Sequence, residues 1–119
     1  GEELPLVPAG TSVRETLLVM NRTKGRPGAA LIVDPGGKLI GIFTDGNLRR
    51  LLEAERTDSL ESAIDDHMGR SPKCVRPDQL VEEAERVLRE NKIDQLAVVA
   101  EDGRPVGLLD VQDVLDVRL

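Results

Sequence analysis

Residues 41–50 read Gly-Ile-Phe-Thr-Asp-Gly-Asn-Leu-Arg-Arg, a stretch that runs from an apolar strand directly into a helix. Residues 107–114 read Gly-Leu-Leu-Asp-Val-Gln-Asp-Val and repeat its form: a glycine, two large apolar residues, a polar residue and then a helical pattern. A glycine inside a strand usually marks a place where a packed helix or a ligand approaches the backbone closely. The two stretches therefore predict two equivalent strand-to-helix junctions, which we call junction one and junction two.

The segments that precede the two junctions are duplicated as well. Each copy has a proline followed by an amphipathic helix, a polar break, an aliphatic strand, a short turn rich in glycine and acidic residues, and a returning strand. These strands are predicted at 29–33, 38–43, 96–99 and 104–109. Self-similarity in a fixed order indicates an internal repeat, and turns this short join antiparallel strands. The sequence therefore predicts two β-α-β-β-α units, with a short helix at 58–68 between them.

The two units are predicted to share one core. A unit of about 55–60 residues buries too little surface to fold comfortably by itself. The strands at 29–33 and 96–99 are continuous apolar runs, which are typical of strands buried on both faces. We therefore expect the units to pack sheet against sheet about a pseudo-twofold axis, and neither unit to be stable alone.

The composition argues against nucleic acid and membranes as partners. The net charge is −6 and Phe43 is the single aromatic residue, so the chain lacks the basic face and the stacking platforms of nucleic-acid binders. No apolar run approaches the ~18 residues of a membrane-spanning helix, and no signal-peptide pattern opens the sequence. Cys74, the single cysteine, is predicted to be a small buried side chain and suits a reducing compartment. We therefore expect a cytoplasmic protein.

The sequence carries no recognisable catalytic centre. His67 is the single histidine and lies at a predicted helix end, which favours a surface position. No nucleophile-elbow, zinc, dinucleotide or P-loop motif is present. Asp113 and Asp116 indicate a solvated acidic helix face rather than a metal site. We therefore predict that this chain has no catalytic residues and binds no metal.

With the repeat laid out, residues 7–115 resemble a tandem pair of CBS domains. The resemblance rests on Val75-Arg76-Pro77-Asp78 before the second unit, on Ile64-Asp65-Asp66-His67-Met68 between the units, and on the two junctions. It implies an α/β (α+β) fold of two β-α-β-β-α repeats related by a pseudo-twofold axis. The implied boundaries are 7–57 for the first repeat, 58–73 for the inter-repeat helix and linker, and 74–119 for the second repeat. Residues 1–6 are then a linker or a remnant of cloning.

Residues 41–50 are further similar to the C-terminal CBS pair of arabinose-5-phosphate isomerases of the capsule and lipopolysaccharide type. In those enzymes an N-terminal sugar-isomerase domain holds the active site, and nothing in this chain resembles that domain. The resemblance implies that the chain is the regulatory portion of such an isomerase. A transporter or a nucleotide-biosynthesis enzyme is a third, weaker choice of parent protein.

The resemblance also implies a ligand site at each junction, where a Thr and an Asp three residues later contact phosphate and ribose. Junction one keeps Thr44 but has Asn47 at the second place, with Asp45 between them and Arg49 and Arg50 nearby. Junction two has Asp110 in place of the Thr and keeps Asp113; a carboxylate facing a phosphate would repel it. Junction one is therefore the better site. Thr44 and Asp110 are equally well explained as ordinary helix N-caps.

Two functional hypotheses follow. The first is a regulatory sensor that binds an adenine or cytosine nucleotide, or a nucleotide-sugar such as the cytidylyl form of the acid sugar Kdo, and modulates the attached isomerase. The second is a scaffold without ligand that holds a homodimer together through its CBS helices. Exposed aliphatic residues on the helices after the junctions would form that interface: Leu48, Leu51, Leu52, Val114, Leu115 and Val117.

Overall fold

The computed structural model describes residues 4–25, 27–54, 57–79 and 81–112. The strands are β1 Leu6–Pro8, β2 Ala29–Val33, β3 Leu39–Thr44, β4 Gly69–Arg70, β5 Cys74–Val75, β6 Gln95–Val99 and β7 Pro105–Asp110. The α-helices are α1 Val13–Arg22, α2 Asp45–Glu53 and α3 Val81–Asn91. The order strand, helix, strand, strand occurs in both halves of the chain. The mixed α and β fold with an internal repeat is therefore confirmed.

The strands form two sheets with equivalent pairing. The first sheet has the order β1-β2-β3-β4 and the second has the order β5-β6-β7. In each repeat the short first strand pairs in parallel with the strand after the helix, and that strand pairs antiparallel with the next. The registers place Ala29 opposite Thr44 and Gln95 opposite Asp110. Thr44 and Asp110, the two junction residues, therefore occupy equivalent positions.

Helix α1 begins at a side-chain cap and buries one stripe of its surface. The Ser12 hydroxyl accepts a hydrogen bond from the Glu15 N–H at 3.1 Å, which satisfies one of the unpaired donors of a helix start. Val13, Thr16 and Met20 are the buried residues of the helix, and their spacing of three and four residues places them on one face. Val13 and Met20 of this stripe pack against the first sheet as part of one apolar cluster.

Each repeat has its own helix-side cluster, which corrects the expectation of one common core. Ile32 belongs to the first cluster, with α1, and Leu96 belongs to the second, with α3. Leu31 and Ala97 are also completely buried, yet side chains alternate along a strand and these two point away from those clusters. A second layer must therefore cover them, as expected if the sheets pack against each other. The core consists of two helix-side clusters and a layer between the sheets.

The two hairpin turns meet at the ends of the sheets remote from the junctions. The Leu39 N–H, at the start of β3, donates to the Gly103 carbonyl at 2.9 Å. A Cβ at Gly103 would lie 3.2 Å from Lys38 Cγ. This contact joins the two repeats at one end, so the junction ends of the strands lie at the other.

The segment between the repeats differs from the predicted helix at 58–68. It forms two short 3-10 helices, Thr57–Glu61 and Ile64–Asp66. Between them Ala63 is extended and forms an isolated bridge with Ser12. The Val13 N–H donates to Ser62 O at 3.0 Å and the Ile64 N–H donates to Thr11 O at 2.7 Å. Pairing with the start of α1 therefore replaces the hydrogen bonds that a continuous helix would have made.

Cys74 is exposed, so the prediction of a buried cysteine is wrong. Cys74 and Val75 form strand β5, and adjacent strand residues point to opposite faces. Val75 takes the inward position and is buried. Because β5 is an edge strand of the second sheet, the cysteine faces away from the core.

The proposed dimer surface also needs correction. Leu51 is buried and Leu48 packs against the first core cluster, so neither is available for a partner. Their spacing of three residues places both on the face of α2 that covers its own sheet. Leu52 is 51% exposed, while Val114, Leu115 and Val117 lie outside the described residues. None of the helices in the described ranges combines the length and apolar character needed to cross a membrane.

Candidate functional site

Junction one is closed by a capping box between Thr44 and Asn47. The Asn47 N–H donates to Thr44 Oγ1 at 3.2 Å. In return, Asn47 Oδ1 accepts from the Thr44 N–H at 2.8 Å and from the Thr44 hydroxyl at 3.0 Å. The interpretation of Thr44 as a helix N-cap is therefore confirmed. Asn47 completes this cap, so the carbonyl oxygen that was predicted to contact a ribose already accepts hydrogen bonds from Thr44.

The backbone of the two junctions is anchored in the same way. The Asp45 N–H donates to Gly28 O at 3.0 Å, and the Val111 N–H donates to Asp94 O at 2.8 Å. Gly28 and Asp94 each directly precede the strand that pairs with the junction strand. The helices after both junctions therefore begin with the same backbone hydrogen bond, and the two junctions differ in their side chains.

Junction one opens into a cleft that lies between the repeats, here called cleft one. The cleft encloses about 520 Å³, within the range of ~300–1,000 Å³ for small-molecule sites. It is lined on the junction side by Ile42, Thr44, Asp45, Gly46, Arg49 and Arg50, and on the opposite side by Pro72, Lys73, Lys92, Ile93, Asp94 and Gln95. The structure thus brings together Thr44, Asp45 and Arg49 of the predicted site. Asn47 does not line the cleft.

Cleft one is rich in positive charge. Four basic side chains line it, Arg49, Arg50, Lys73 and Lys92, against the two carboxylates of Asp45 and Asp94. Sequence reasoning missed Lys73 and Lys92, because they come from the linker and the second repeat. The available signal was the repeat itself, since a lysine follows the first helix of each copy, at positions 24 and 92.

The Arg50 side chain lies back along α2 toward the start of the helix. A Cβ at Gly46 would lie 3.7 Å from an Arg50 guanidinium nitrogen and 3.5 Å from Thr44 Oγ1. The N-terminus of a helix carries partial positive charge and repels a cation. An anion at this position would interact favourably with both the guanidinium and the partial positive charge of the helix start.

Junction two opens into an equivalent cleft of about 580 Å³, here called cleft two. Its lining is mostly apolar or proline: Leu4, Pro5, Pro27, Pro77, Val98, Val106, Leu108 and Leu109, with Lys24, Gly25, Gly107 and Asp110. Lys24 is the basic residue of this lining in the described part of the chain. Asp110 lies at the position of Thr44, and Asp113 lies outside the described residues. Among the residues that the structure describes, cleft two therefore has one basic side chain where cleft one has four.

His67 makes a structural hydrogen bond. The Ser62 hydroxyl donates to Ser59 O at 2.6 Å, and Ser62 Oγ lies 2.8 Å from His67 Nε2. Because the hydroxyl proton is already used, the imidazole nitrogen donates to the serine oxygen. A nucleophilic serine requires the reverse arrangement. Among residues 4–25, 27–54, 57–79 and 81–112, no three His, Cys, Asp or Glu side chains are grouped as metal ligands would be.

Comparison with known proteins identifies relatives along nearly the whole chain. A family model described as CBS domain matches residues 2–54 and 62–119. The chain is 45% identical over 115 residues to arabinose 5-phosphate isomerase KdsD of Pseudomonas aeruginosa, covering 97% of this chain and 34% of the relative. It is 32% identical over 112 residues to arabinose 5-phosphate isomerase KpsF of Escherichia coli, covering 93% and 33%. The chain thus spans about a third of the length of these curated relatives.

Solved structures with the same fold include two nucleotide complexes. CBSX2 in complex with AMP superposes with a TM-score of 0.81 at 27% identity, covering 98% of this chain and 88% of the other. The cytosolic domain of the Mg²⁺ channel MgtE in complex with ATP superposes with a TM-score of 0.78 at 31% identity, covering 98% and 45%.

Proposed function

This chain belongs to the CBS domain family as a tandem pair, and from that premise we propose that it senses an anionic nucleotide bound in cleft one. The observation that carries the proposal is that four basic side chains line cleft one, with Arg49 and Arg50 on the wall that holds the start of α2. A phosphate there interacts with the positive end of the helix dipole and receives charge-assisted hydrogen bonds. The AMP and ATP bound to CBSX2 and to the MgtE domain support the nucleotide class.

Each residue of junction one has a role in this proposal. The Thr44 hydroxyl, which now donates to Asn47 Oδ1, turns to a phosphate oxygen while still accepting from the Asn47 N–H. Arg50 and Arg49 neutralise the phosphate, and the exposed Asp45 carboxylate accepts hydrogen bonds from ribose hydroxyls. Asn47 supports the site through the cap. Both adenine and cytosine nucleotides, and a cytidylyl acid sugar such as CMP-Kdo, fit this chemistry.

Cleft two is proposed as a poorer site for anions. Asp110 occupies the place where junction one has a hydroxyl, and a carboxylate there disfavours a phosphate. Lys24 is the basic lining residue that cleft two offers in the described residues. Asp113 stays a proposed ribose contact of that cleft. We expect nucleotides to fill cleft one first.

The chain is proposed to regulate a sugar-phosphate isomerase. The two curated relatives are named arabinose 5-phosphate isomerases, and the chain matches a third of their length. The proposed arrangement is an N-terminal isomerase domain, residues 1–6 as a connection, repeats at 7–57 and 74–119, and a linker at 58–73, in a cytoplasmic enzyme. The ligand regulates such an enzyme only if it binds one arrangement of the repeats better than another.

The test is a thermal-shift and calorimetric titration of this chain with AMP, ADP, ATP, CMP and CMP-Kdo. A ligand at a hundredfold excess over its dissociation constant should stabilise the fold by about 2.7 kcal/mol. Arg50→Ala should weaken binding by about tenfold or more, because it removes a charge-assisted contact. Arg22→Ala, on the exposed last turn of α1, is the control and should leave binding unchanged. A folded chain that binds none of these ligands would contradict the proposal.

The scaffold remains a second candidate because apolar side chains are exposed beyond both junctions. Leu52 is 51% exposed on α2, and Val111 is 39% exposed directly after junction two. A homodimer through these helices would cover both. Light scattering should then show a dimer that Leu52→Glu converts to a monomer. A monomer at high concentration in the unmodified chain would exclude the scaffold.

A further inference from the structure

Two non-glycine residues of the described chain have a left-handed backbone, and both lie beside cleft one. They are Ser71, with φ of 51°, and Lys92, with φ of 54°. Residues with a Cβ rarely adopt this conformation, and where they do the surrounding structure must enforce it. Lys92 lines the cleft itself, and Ser71 directly precedes the lining pair Pro72 and Lys73. Both unusual backbone positions therefore lie at, or two residues before, a lysine that lines this cleft.

Lys92 occupies a helix end where glycine is the usual residue. Helix α3 ends at Asn91, and the Ile93 N–H donates back to Leu88 O at 3.1 Å. The left-handed residue after a helix is most often Gly or Asn, which tolerate this conformation. In the first repeat, the left-handed residue after α1 is Gly25, with φ of 86°. The first repeat therefore uses a glycine as its left-handed residue, one position after Lys24, whereas in the second repeat Lys92 itself has that conformation.

The basic residues of cleft one belong to two opposite walls. Arg49 and Arg50 come from α2 of the first repeat, whereas Lys73 and Lys92 come from the linker and the second repeat. Both lysines are exposed, and neither forms an ion pair with any of the described residues. A single phosphate at the start of α2 contacts the wall that carries Arg49 and Arg50. It leaves the positive charge of Lys73 and Lys92, on the opposite wall, without a negative group of the ligand.

We propose that the ligand of cleft one carries a second negative group, which Lys73 and Lys92 bind from the opposite wall. The first group is the nucleotide phosphate at the start of α2, so this inference rests on the proposed function. The second group is either a further phosphate, as in a nucleoside diphosphate, or the carboxylate of an acidic sugar joined to the nucleotide. Such a ligand contacts both repeats and fixes their relative position.

The experiment compares ligands that differ in the second negative group. Calorimetry with the pairs AMP and ADP, and CMP and CDP, should show the diphosphate binding about tenfold tighter, as one added charge-assisted contact predicts. CMP joined to an acidic sugar forms the third arm. Tight binding of CDP and ADP with weak binding of the sugar conjugate assigns the second group as a phosphate, and the reverse assigns it as a carboxylate.

Lys92→Asn and Lys73→Gln test whether these two lysines bind the second negative group. Each should reduce the preference for the second negative group severalfold while changing monophosphate affinity less than about twofold. Lys92→Asn should also keep or raise the melting temperature, because Asn tolerates the left-handed backbone. Lys24→Asn, which follows the first helix of the first repeat in cleft two, is the matched control and should leave the preference unchanged.

The outcomes separate this inference from the proposed function. Equal affinity for mono- and diphosphates together with no gain from the acidic sugar overturns the inference, provided that Arg50→Ala still weakens binding. Loss of monophosphate and diphosphate affinity by the same factor in Lys92→Asn overturns it as well. A folded chain that binds no nucleotide at all overturns both proposals.

Discussion

At the scale of single residues, Gly41 shows why the strand that leads into junction one contains a glycine. A Cβ at Gly41 would collide with the Sδ and Cγ atoms of Met68, and Met68 is itself buried in the first core cluster. The equivalent Gly107 faces the neighbouring strand, where a Cβ would lie 3.3 Å from Val98 Cβ. At both positions, a side chain of the chain itself therefore makes the close approach that the sequence predicted.

Gly41→Ala is expected to destabilise the protein by about 1–3 kcal/mol, because Met68 must move within a packed cluster. Urea denaturation followed by circular dichroism measures this difference. Gly36→Ala is the control, since Gly36 lies in an exposed turn and the change should stay within about 0.5 kcal/mol. Met68→Ala should reduce the cost of Gly41→Ala in the double variant. If the losses of stability in the two single variants simply add in the double variant, Met68 is not the residue that the alanine side chain displaces.

At the scale of secondary-structure elements, helix α3 carries an ion-pair network along its exposed face. Arg86 donates to both carboxylate oxygens of Glu83 and to Glu90 at 2.8 Å, and Arg89 pairs with Glu85 at 2.7 Å. The hydrogen bond from Arg86 lowers the pKa of Glu83 below its usual value of 4.5, and the same bond raises the pKa of Arg86. Pairs at this spacing support a helix modestly, and salt screens them.

The pKa of Glu83 predicts how this support depends on pH. Because the pKa is lower in the folded protein, the stabilisation is present above pH 4.5 and is lost as the pH falls through the folded value. Glu83→Gln should therefore be slightly less stable than the unmodified chain near neutral pH, with the difference disappearing in acid. Thermal melts across this range test it. Glu82→Gln, on the same turn and without an ion pair among the described residues, should show no such trend.

At the scale of the whole molecule, the features that the sequence predicted are those encoded within one repeat. The strand-turn-strand pattern, the helix caps and the equivalence of the two junctions depend on neighbouring residues, and duplication made each pattern visible twice. The missed features depend on contacts between distant segments. Ala63 is extended because it pairs with Ser12, and Lys73 and Lys92 reach cleft one only when the second repeat lies against junction one. No local pattern contains that information.

Because the layer between the sheets needs contacts from both repeats, we predict that half of the chain will not fold alone. A fragment of residues 1–70 keeps the helix-side cluster of the first repeat, yet it exposes the opposite face of β2, where Ala29 and Leu31 are completely buried in the whole chain. Burying one leucine is worth about 1.5–3 kcal/mol, a large fraction of the stability of a unit this small. The fragment also loses the hydrogen bond from Leu39 to Gly103.

We expect fragment 1–70 to be unfolded or self-associated, and an equimolar mixture with fragment 71–119 to recover a cooperative thermal transition, because each half supplies the surface that the other lacks. Circular dichroism with light scattering distinguishes these states. A cooperative melt of monomeric fragment 1–70 would mean that the helix-side cluster suffices. In that case the layer between the sheets would be a docking surface of two independently stable repeats, and ligand in cleft one would shift their association without altering the stability of either repeat.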